Sequence, residues 1–256
     1  MPANDSLGTI LLWFASAGAP GQPVPDAGLA LLPPAQRDFF HSLRAPGRRQ
    51  QYLHSRLLMC TALSRHYRRA TTEWDIEERT NAAPLIHNLP VPAHISLSHS
   101  HHLICFGLSS FRIGIDVEWM KSGRRFREMA ALFMSNEEVA LLPEHPAELQ
   151  RYFYRIWCAK EALYKALTPA EQARTTLTGL SYPALLENDS PWHLMQSRLD
   201  HYRLAVVSEK VTAAPLLHQA SINLEHVMRD AARRGLSNHK KGPDGPFGIL
   251  DTTETQ

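Results

Sequence analysis

Ile156-Trp157-Cys158-Ala159-Lys160-Glu161-Ala162-Leu163-Tyr164-Lys165 places two lysines and a carboxylate inside an otherwise apolar run. Advancing about 100° per residue from Phe153 gathers Phe153, Ile156, Trp157, Leu163, Tyr164 and Leu167 on one arc. That periodicity predicts a buried helix over about 149–168, behind the breaks at Pro143 and Pro146. Lys160 falls in the middle of the arc, where an ammonium is costly unless an anion meets it or its amine snorkels to water. Glu161 and Lys165 sit at the border, four residues apart. They read either as a site wall or as a solvated ion pair that adds a few tenths of a kcal/mol.

Outward from this helix the chain follows one order of elements twice. Leu53, Leu57, Cys60, Leu63 and Tyr67 recur at spacings of four and three, which predicts an amphipathic helix from about Arg48 to Arg68. Strands follow at His94–Ser98 and Leu103–Leu108, separated by a polar Ser-His cluster. Thr9–Phe14 and Phe111–Trp119 are further strands. After a short helix at Arg125–Phe133, the segment Asn136–Leu142 and the helix over 149–168 come the strands Trp192–Arg198 and Tyr202–Ser208. Helix followed by two strands, twice, predicts an α+β protein of two similar lobes. Each lobe would pack a small antiparallel sheet on a long helix, the two related by pseudo-twofold symmetry. The lobes are expected over 1–112 and 113–225, with residues 18–36 a loop holding about one helical turn. The polar, Gly- and Pro-punctuated stretch 226–256 is expected to be a disordered tail.

The 256 residues suffice for a large core, and 20% charged with 44% hydrophobic residues is ordinary for a globular chain. A net charge of +2 does not imply a nucleic-acid partner, and aromatic residues are too sparse among the basic ones for base stacking. The charge is uneven, since residues 37–69 hold eight arginines against Asp38 alone. Cys60, Cys105 and Cys158 lie in apolar runs and read as reduced core thiols of a cytoplasmic protein. Leu7–Ala17 is too short and lacks the basic flank of a signal peptide, and no stretch is long enough to span a membrane.

Three constellations carry chemistry. In Gly114-Ile115-Asp116-Val117-Glu118 strand alternation sends Asp116 and Glu118 to one face, where a hard cation would relieve their repulsion. A solvated sheet face is the other reading. Gly114 allows a close backbone approach or a bulge, or marks a turn. In Ile95-Ser96-Leu97-Ser98-His99-Ser100, His99 ends a strand between hydroxyls and could donate to a phosphate or bond to its own loop. No Gly-x-Ser-x-Gly turn makes Ser98 a nucleophile. Arg48, Arg49 and Arg56 could grip phosphates in bidentate fashion or form a solvated helix face.

In this order, the arginine helix, the Ser-His strand, the Gly-x-Asp-x-Glu strand and the Trp-x-x-Lys-Glu-x-x-x-Lys helix make the chain similar to one family. It resembles the 4′-phosphopantetheinyl transferases of the large two-lobed, surfactin-synthetase-activating type. The match rests on Ser96–Ser100, Gly114–Glu118 and Trp157–Lys165, more weakly on Arg48–Tyr67, within an overall likeness from about residue 8 to 225. The resemblance implies transfer of phosphopantetheine from coenzyme A to a serine of an apo acyl- or peptidyl-carrier protein, with adenosine 3′,5′-bisphosphate as by-product. It implies Mg²⁺ on Asp116, Glu118 and Glu161, and coenzyme A phosphates on Ser98, His99, Lys160 and Lys165. Arg56, with Arg48 or Arg49, would meet the 3′-phosphate. Glu161 or a metal-bound water would take the serine proton, and Lys160 and Lys165 would assist. A monomer is expected, since two lobes in one chain can replace a dimer axis. Asn81-Ala82-Ala83-Pro84 departs from the family's Gly-Lys-Pro by lacking the lysine, and Trp119 and Met120 delay the basic residue after Glu118 to Lys121. Two other readings are a non-catalytic coenzyme A- or carrier-binding regulatory module and a metal-dependent nucleotide phosphodiesterase.

Overall fold

The computed structural model describes residues 9–17, 26–79, 82–187, 190–209 and 217–239. Strand β1 (Ile10–Ser16) is apolar on both faces, and both faces are covered. Ile10, Leu12 and Phe14 enter one core cluster, while Leu11, Trp13 and Ala15 face another. After α1 (Asp26–Ala30) and α2 (Pro34–Ser42) comes the long α3 (Pro46–Tyr67). Pro46 sits in its first turn, where no N–H is needed. Arg68 ends it at φ 56°, donating its N–H to the Ser64 carbonyl. A short ladder of β2 (Ile76–Glu77) and β3 (Leu85–Ile86) lies between the expected helix at Arg48–Arg68 and the expected strand at His94–Ser98. The hairpin β4 (His94–Ser100) and β5 (Leu103–Ser109) completes this part, with β5 antiparallel to β1.

The same connection order then recurs. Strand β6 (Ile113–Trp119) is followed by α4 (Phe126–Ala130), α5 (Asn136–Ala140) and the long α6 (Pro146–Ala166). Next come α7 (Pro169–Gln172), α8 (Tyr182–Leu186) and the hairpin β7 (His193–Leu199) and β8 (Tyr202–Ser208), with β8 antiparallel to β6. Each unit is thus strand, long helix, hairpin, with the second hairpin strand beside the first strand. The sheet orders are β4-β5-β1-β9 and β7-β8-β6. α3 packs on β1 and β5, α6 packs on β6 and β8, and the inner faces of the two sheets meet in a shared core. That core joins Ile10, Leu12 and Cys105 to Ile113, Ile115, Val117 and Val206.

Two expectations need correction. β9 (Leu217–Ser221), placed by sequence within the second lobe, returns to pair parallel with β1, so the first sheet is not purely antiparallel. The start of the expected disordered tail is helical: α9 (Leu224–His239) packs on α1 and α3. Leu224 and Met228, one turn apart, enter the core beside Leu53, Leu57 and Leu32, with Val227 packed against it, which explains the helix. Residues 240–256 lie outside the described residues. Cys60, Cys105 and Cys158 are buried free thiols, one in each core cluster, and burial pushes the Cys60 thiol up to about 12. Among the described residues no helix is long and apolar enough to cross a membrane.

Candidate active site between the two sheets

Strand β6 lies against α6 so closely that position 114 must lack a side chain. A Cβ on Gly114 would stand 1.8 Å from the Ala162 carbonyl oxygen and 2.7 Å from the Ala166 nitrogen. Of the sequence readings for Gly114, close backbone approach is therefore the one realised. The opposite edge of β6 is closed by hydroxyls of β4. Ser96, Ser98 and Ser100, alternate residues on one strand face, accept from the N–H groups of Ile115, Val117 and Trp119 at 2.9, 3.1 and 3.0 Å. These serines take the place of a neighbouring strand for β6, and each bond is worth about 0.5–1.5 kcal/mol net.

The two central carboxylates hang from the same seam. Ser98 Oγ donates to Asp116 Oδ1 at 3.0 Å, and Lys165 Nζ donates to that oxygen at 2.6 Å and to Ser98 Oγ at 3.2 Å. Glu118 accepts from Ser100 Oγ at 2.8 Å on one oxygen and from Trp157 Nε1 at 3.0 Å on the other. Burial, then repulsion from Asp116, raises the Glu118 pKa against its hydrogen bonds and Lys165. Glu161, one helical turn before Lys165, is raised chiefly by burial; Lys165 opposes this, and Asp116 and Glu118 add to it. The three carboxylates thus sense one another electrostatically, although no group of three potential ligands stands close enough to hold a metal ion among the described residues. The donor set nevertheless fits a hard divalent cation. Asp116 Oδ2 is buried and has no hydrogen-bond partner, and two neighbouring acids carry raised affinities for a proton, hence for positive charge.

Beside this cluster opens a cavity of about 910 Å³ between α3, the β2–β3 ladder and the C-terminal end of α6. Arg48, Arg56, Arg79, Arg112 and Lys165 line it, against the carboxylates Glu78 and Glu161, so it favours a polyanion. His99 also lines it, its Nδ1 2.7 Å from Gln51 Nε2. Desolvation, and then the Lys165 and Arg56 charges, hold His99 below the ordinary imidazole range against its own backbone bond and Asp116. Arg56 is buried against Tyr52, with its fork engaged by both oxygens of Glu78. Sequence reasoning missed Glu78 and Arg79. They follow β2 directly, so the short ladder brings them to the cavity, and ladders of two residues leave no readable periodicity.

Three expected phosphate contacts are elsewhere. Lys160 is fully buried, and its ammonium donates to Glu138 Oε2 at 2.5 Å and to the Phe133 and Leu177 carbonyls at 3.0 Å each. All three donors are spent inside the second unit, and Lys160 is absent from the cavity wall. Burial lowers its pKa, and Glu138 opposes that shift. Arg49 donates to the Leu43 and His41 carbonyls and lies over the Phe40 ring, so it braces the turn between α2 and α3. Arg48 is the member of that pair on the cavity. Ser98 is buried and turned toward β6, its hydroxyl fully used, so it does not face the cavity as expected.

Comparison with known proteins agrees with this geometry. Residues 112–207, which run from Arg112 through Asp116, Glu118 and α6 to β8, match the 4′-phosphopantetheinyl transferase superfamily model. The chain is 32% identical over 114 residues to the 4′-phosphopantetheinyl transferase ffp of Bacillus subtilis, covering 43% of this chain and 48% of that protein. It is 29% identical over 147 residues to psf-1 of Bacillus pumilus, covering 54% and 62%. Against the 4′-phosphopantetheinyl transferase Sfp of Bacillus subtilis strain 168 it is 32% identical over 110 residues, covering 43% and 48%. The chain spans about half the length of the curated relatives it matches, up to the 62% of the Bacillus pumilus protein. Through residues 112–207, the stretch that carries both the acidic strand and the lysine helix, this chain is similar to the 4′-phosphopantetheinyl transferase superfamily, and to the Sfp-like transferases within it.

Proposed function

We propose that this protein transfers the 4′-phosphopantetheine group of coenzyme A to a serine of an apo acyl- or peptidyl-carrier protein. The observation that carries the reading is the cation-lined cavity of about 910 Å³ whose α6 wall presents Glu161 and Lys165 next to Asp116. A nucleotide with three phosphates suits such a wall, and the volume lies at the upper end for small-molecule pockets. Arg48, Arg56, Arg79 and His99 hold the phosphates on the α3 side, and Lys165 holds them on the α6 side.

Mg²⁺ would be held by Asp116, Glu118 and Glu161, and when bound it supplies charge neutralisation at the pyrophosphate. Lys165 orients the Asp116 carboxylate through its hydrogen bond at 2.6 Å. Glu161 accepts the proton of the incoming serine hydroxyl. The serine oxygen forms a bond to the phosphorus that bears the pantetheine arm. The bond from that phosphorus to the bridging oxygen breaks, and adenosine 3′,5′-bisphosphate leaves with the bridging oxygen. No nucleophile from this chain is needed, because the reaction depends on positioning and charge neutralisation.

The repeated strand, helix and hairpin order supports two lobes related by a pseudo-twofold axis, with the active site at their junction. The protein acts as a cytoplasmic monomer and takes no nucleic acid or membrane partner. The test is to mix protein, Mg²⁺, coenzyme A and a panel of apo-carriers, then weigh the carriers. A carrier that gains one phosphopantetheine supports the proposal. Bisphosphate release without carrier modification identifies a phosphodiesterase, and coenzyme A binding with neither product identifies a regulatory module.

A further inference from the structure

The serine row of β4 does two jobs, and its three members divide them unequally. Ser96, Ser98 and Ser100 each accept one N–H from the free edge of β6. Ser98 and Ser100 also donate to the carboxylates of Asp116 and Glu118, whereas Ser96 meets no carboxylate among the described residues. A hydroxyl has one proton to give and two lone pairs to accept with. At Ser98 all three are committed: the proton to Asp116, the lone pairs to the Val117 N–H and the Lys165 ammonium. The Asp116 carboxylate is therefore pinned through Oδ1, and Oδ2 is the oxygen left over, buried and without a partner.

We propose that Ser98 is a positioning residue for the acidic site, fixing the rotation of the Asp116 carboxylate so that Oδ2 alone remains for a divalent cation. Ser100, from the next position of the row, orients Glu118 by holding one of its oxygens, the other being held by Trp157 Nε1. The inference rests on the proposed metal-dependent transfer and adds that the first unit, through β4, sets the affinity of a site whose acids belong to the second. Hydrogen-bond partners of ligating carboxylates typically contribute about 10–100-fold in metal affinity.

Ser96 provides the control within the same row. Ser96→Ala and Ser98→Ala each leave one buried β6 N–H without its acceptor, so both lower the melting temperature. Of the two, Ser98→Ala alone also removes a donor from a carboxylate of the site. The measurement is Mn²⁺ affinity, read by electron paramagnetic resonance on the full chain with and without coenzyme A, beside thermal unfolding. The expected result is an affinity about 10–100-fold weaker in Ser98→Ala and within about twofold of the parent in Ser96→Ala. Ser98→Ala with parental Mn²⁺ affinity, or equal weakening in both variants, overturns the proposal. If Ser98→Ala does not fold, Ser100→Ala is compared with Ser96→Ala by the same criterion. An unsubstituted protein that binds no Mn²⁺ even with coenzyme A refutes the metal-dependent function and this inference together. Parental affinity in Ser98→Ala, with Mn²⁺ bound, refutes the inference alone.

Discussion

Replacing Lys160 by methionine keeps the length of the side chain and deletes the only cation paired with Glu138 among the described residues. In the folded protein Lys160 is fully buried and Glu138 almost so, joined at 2.5 Å. Breaking such a pair by removing one partner costs about 3–5 kcal/mol, because a buried charge is left uncompensated. Glu138 keeps two backbone donors, Ser135 N–H at 2.8 Å and Tyr182 N–H at 2.9 Å, which favours the lower end, near 3 kcal/mol. For a chain of this length each kcal/mol moves the melting temperature by about 2–4 °C, so a fall of roughly 6–12 °C is expected. Adding Glu138→Gln removes the stranded charge, while the amide oxygen can still accept a backbone N–H, so the double variant recovers part of the loss. Thermal unfolding by circular dichroism reads both effects, and calorimetry reads coenzyme A binding. The account expects lower stability with coenzyme A affinity changed by less than threefold at a temperature where the variant is folded, roughly the ordinary scatter of a remote substitution. An unchanged melting temperature with lost coenzyme A binding would show that Lys160 reaches the ligand, and would refute this assignment.

Glu161→Gln is expected to abolish transfer and raise stability at neutral pH. The folded-state pKa of Glu161 lies above its value of 4.5 in the unfolded chain, so the native state binds more protons just above that pH. Stability is then lost as pH rises from about 4.5 through the raised pKa, and Gln removes this loss. Melting temperatures that converge near pH 4 and separate by pH 7, with the variant higher, would agree; a variant less stable at every pH would not. Gly114→Ala places a methyl against the α6 backbone, which cannot yield as a side chain can. Overpacking of this kind costs about 1–3 kcal/mol or more, and it moves Asp116 relative to Lys165. A soluble Gly114→Ala protein with parental melting temperature and transfer rate would contradict the fit of helix to strand.

The history of Lys160 shows what the chain made legible. Helical periodicity placed it in an apolar arc, where either an anion or a snorkelling amine was needed, and the structure supplies the anion. The anion is Glu138, not a ligand phosphate, and 22 residues separate the two in sequence. The local signature was present, because Ser135 and Glu138 form a capping box on α5. What no local pattern discloses is the tertiary partner of that glutamate. The Asp-x-Glu strand and the lysine helix were readable as a constellation because strand alternation and helical spacing fix their faces directly. The serine row was half readable: ending the strand at Ser98 cut off Ser100, which the structure places in the same row. β9 and α9 escaped because polar residues dominate them, and their few apolar positions gain meaning only beside β1 and α3. For Arg48 and Arg49, adjacent on one helix, side-chain direction alone decided which reached the cavity.

The central claim is tested most directly by the stoichiometry of a single reaction. An apo-carrier protein incubated with this protein, Mg²⁺ and coenzyme A is weighed while free adenosine 3′,5′-bisphosphate is quantified in the same tube. The account predicts one phosphopantetheine on the carrier serine for each bisphosphate released, with both products absent when Asp116 is replaced by alanine. Bisphosphate formed without modified carrier, or equal yields from the Asp116→Ala protein, would contradict it.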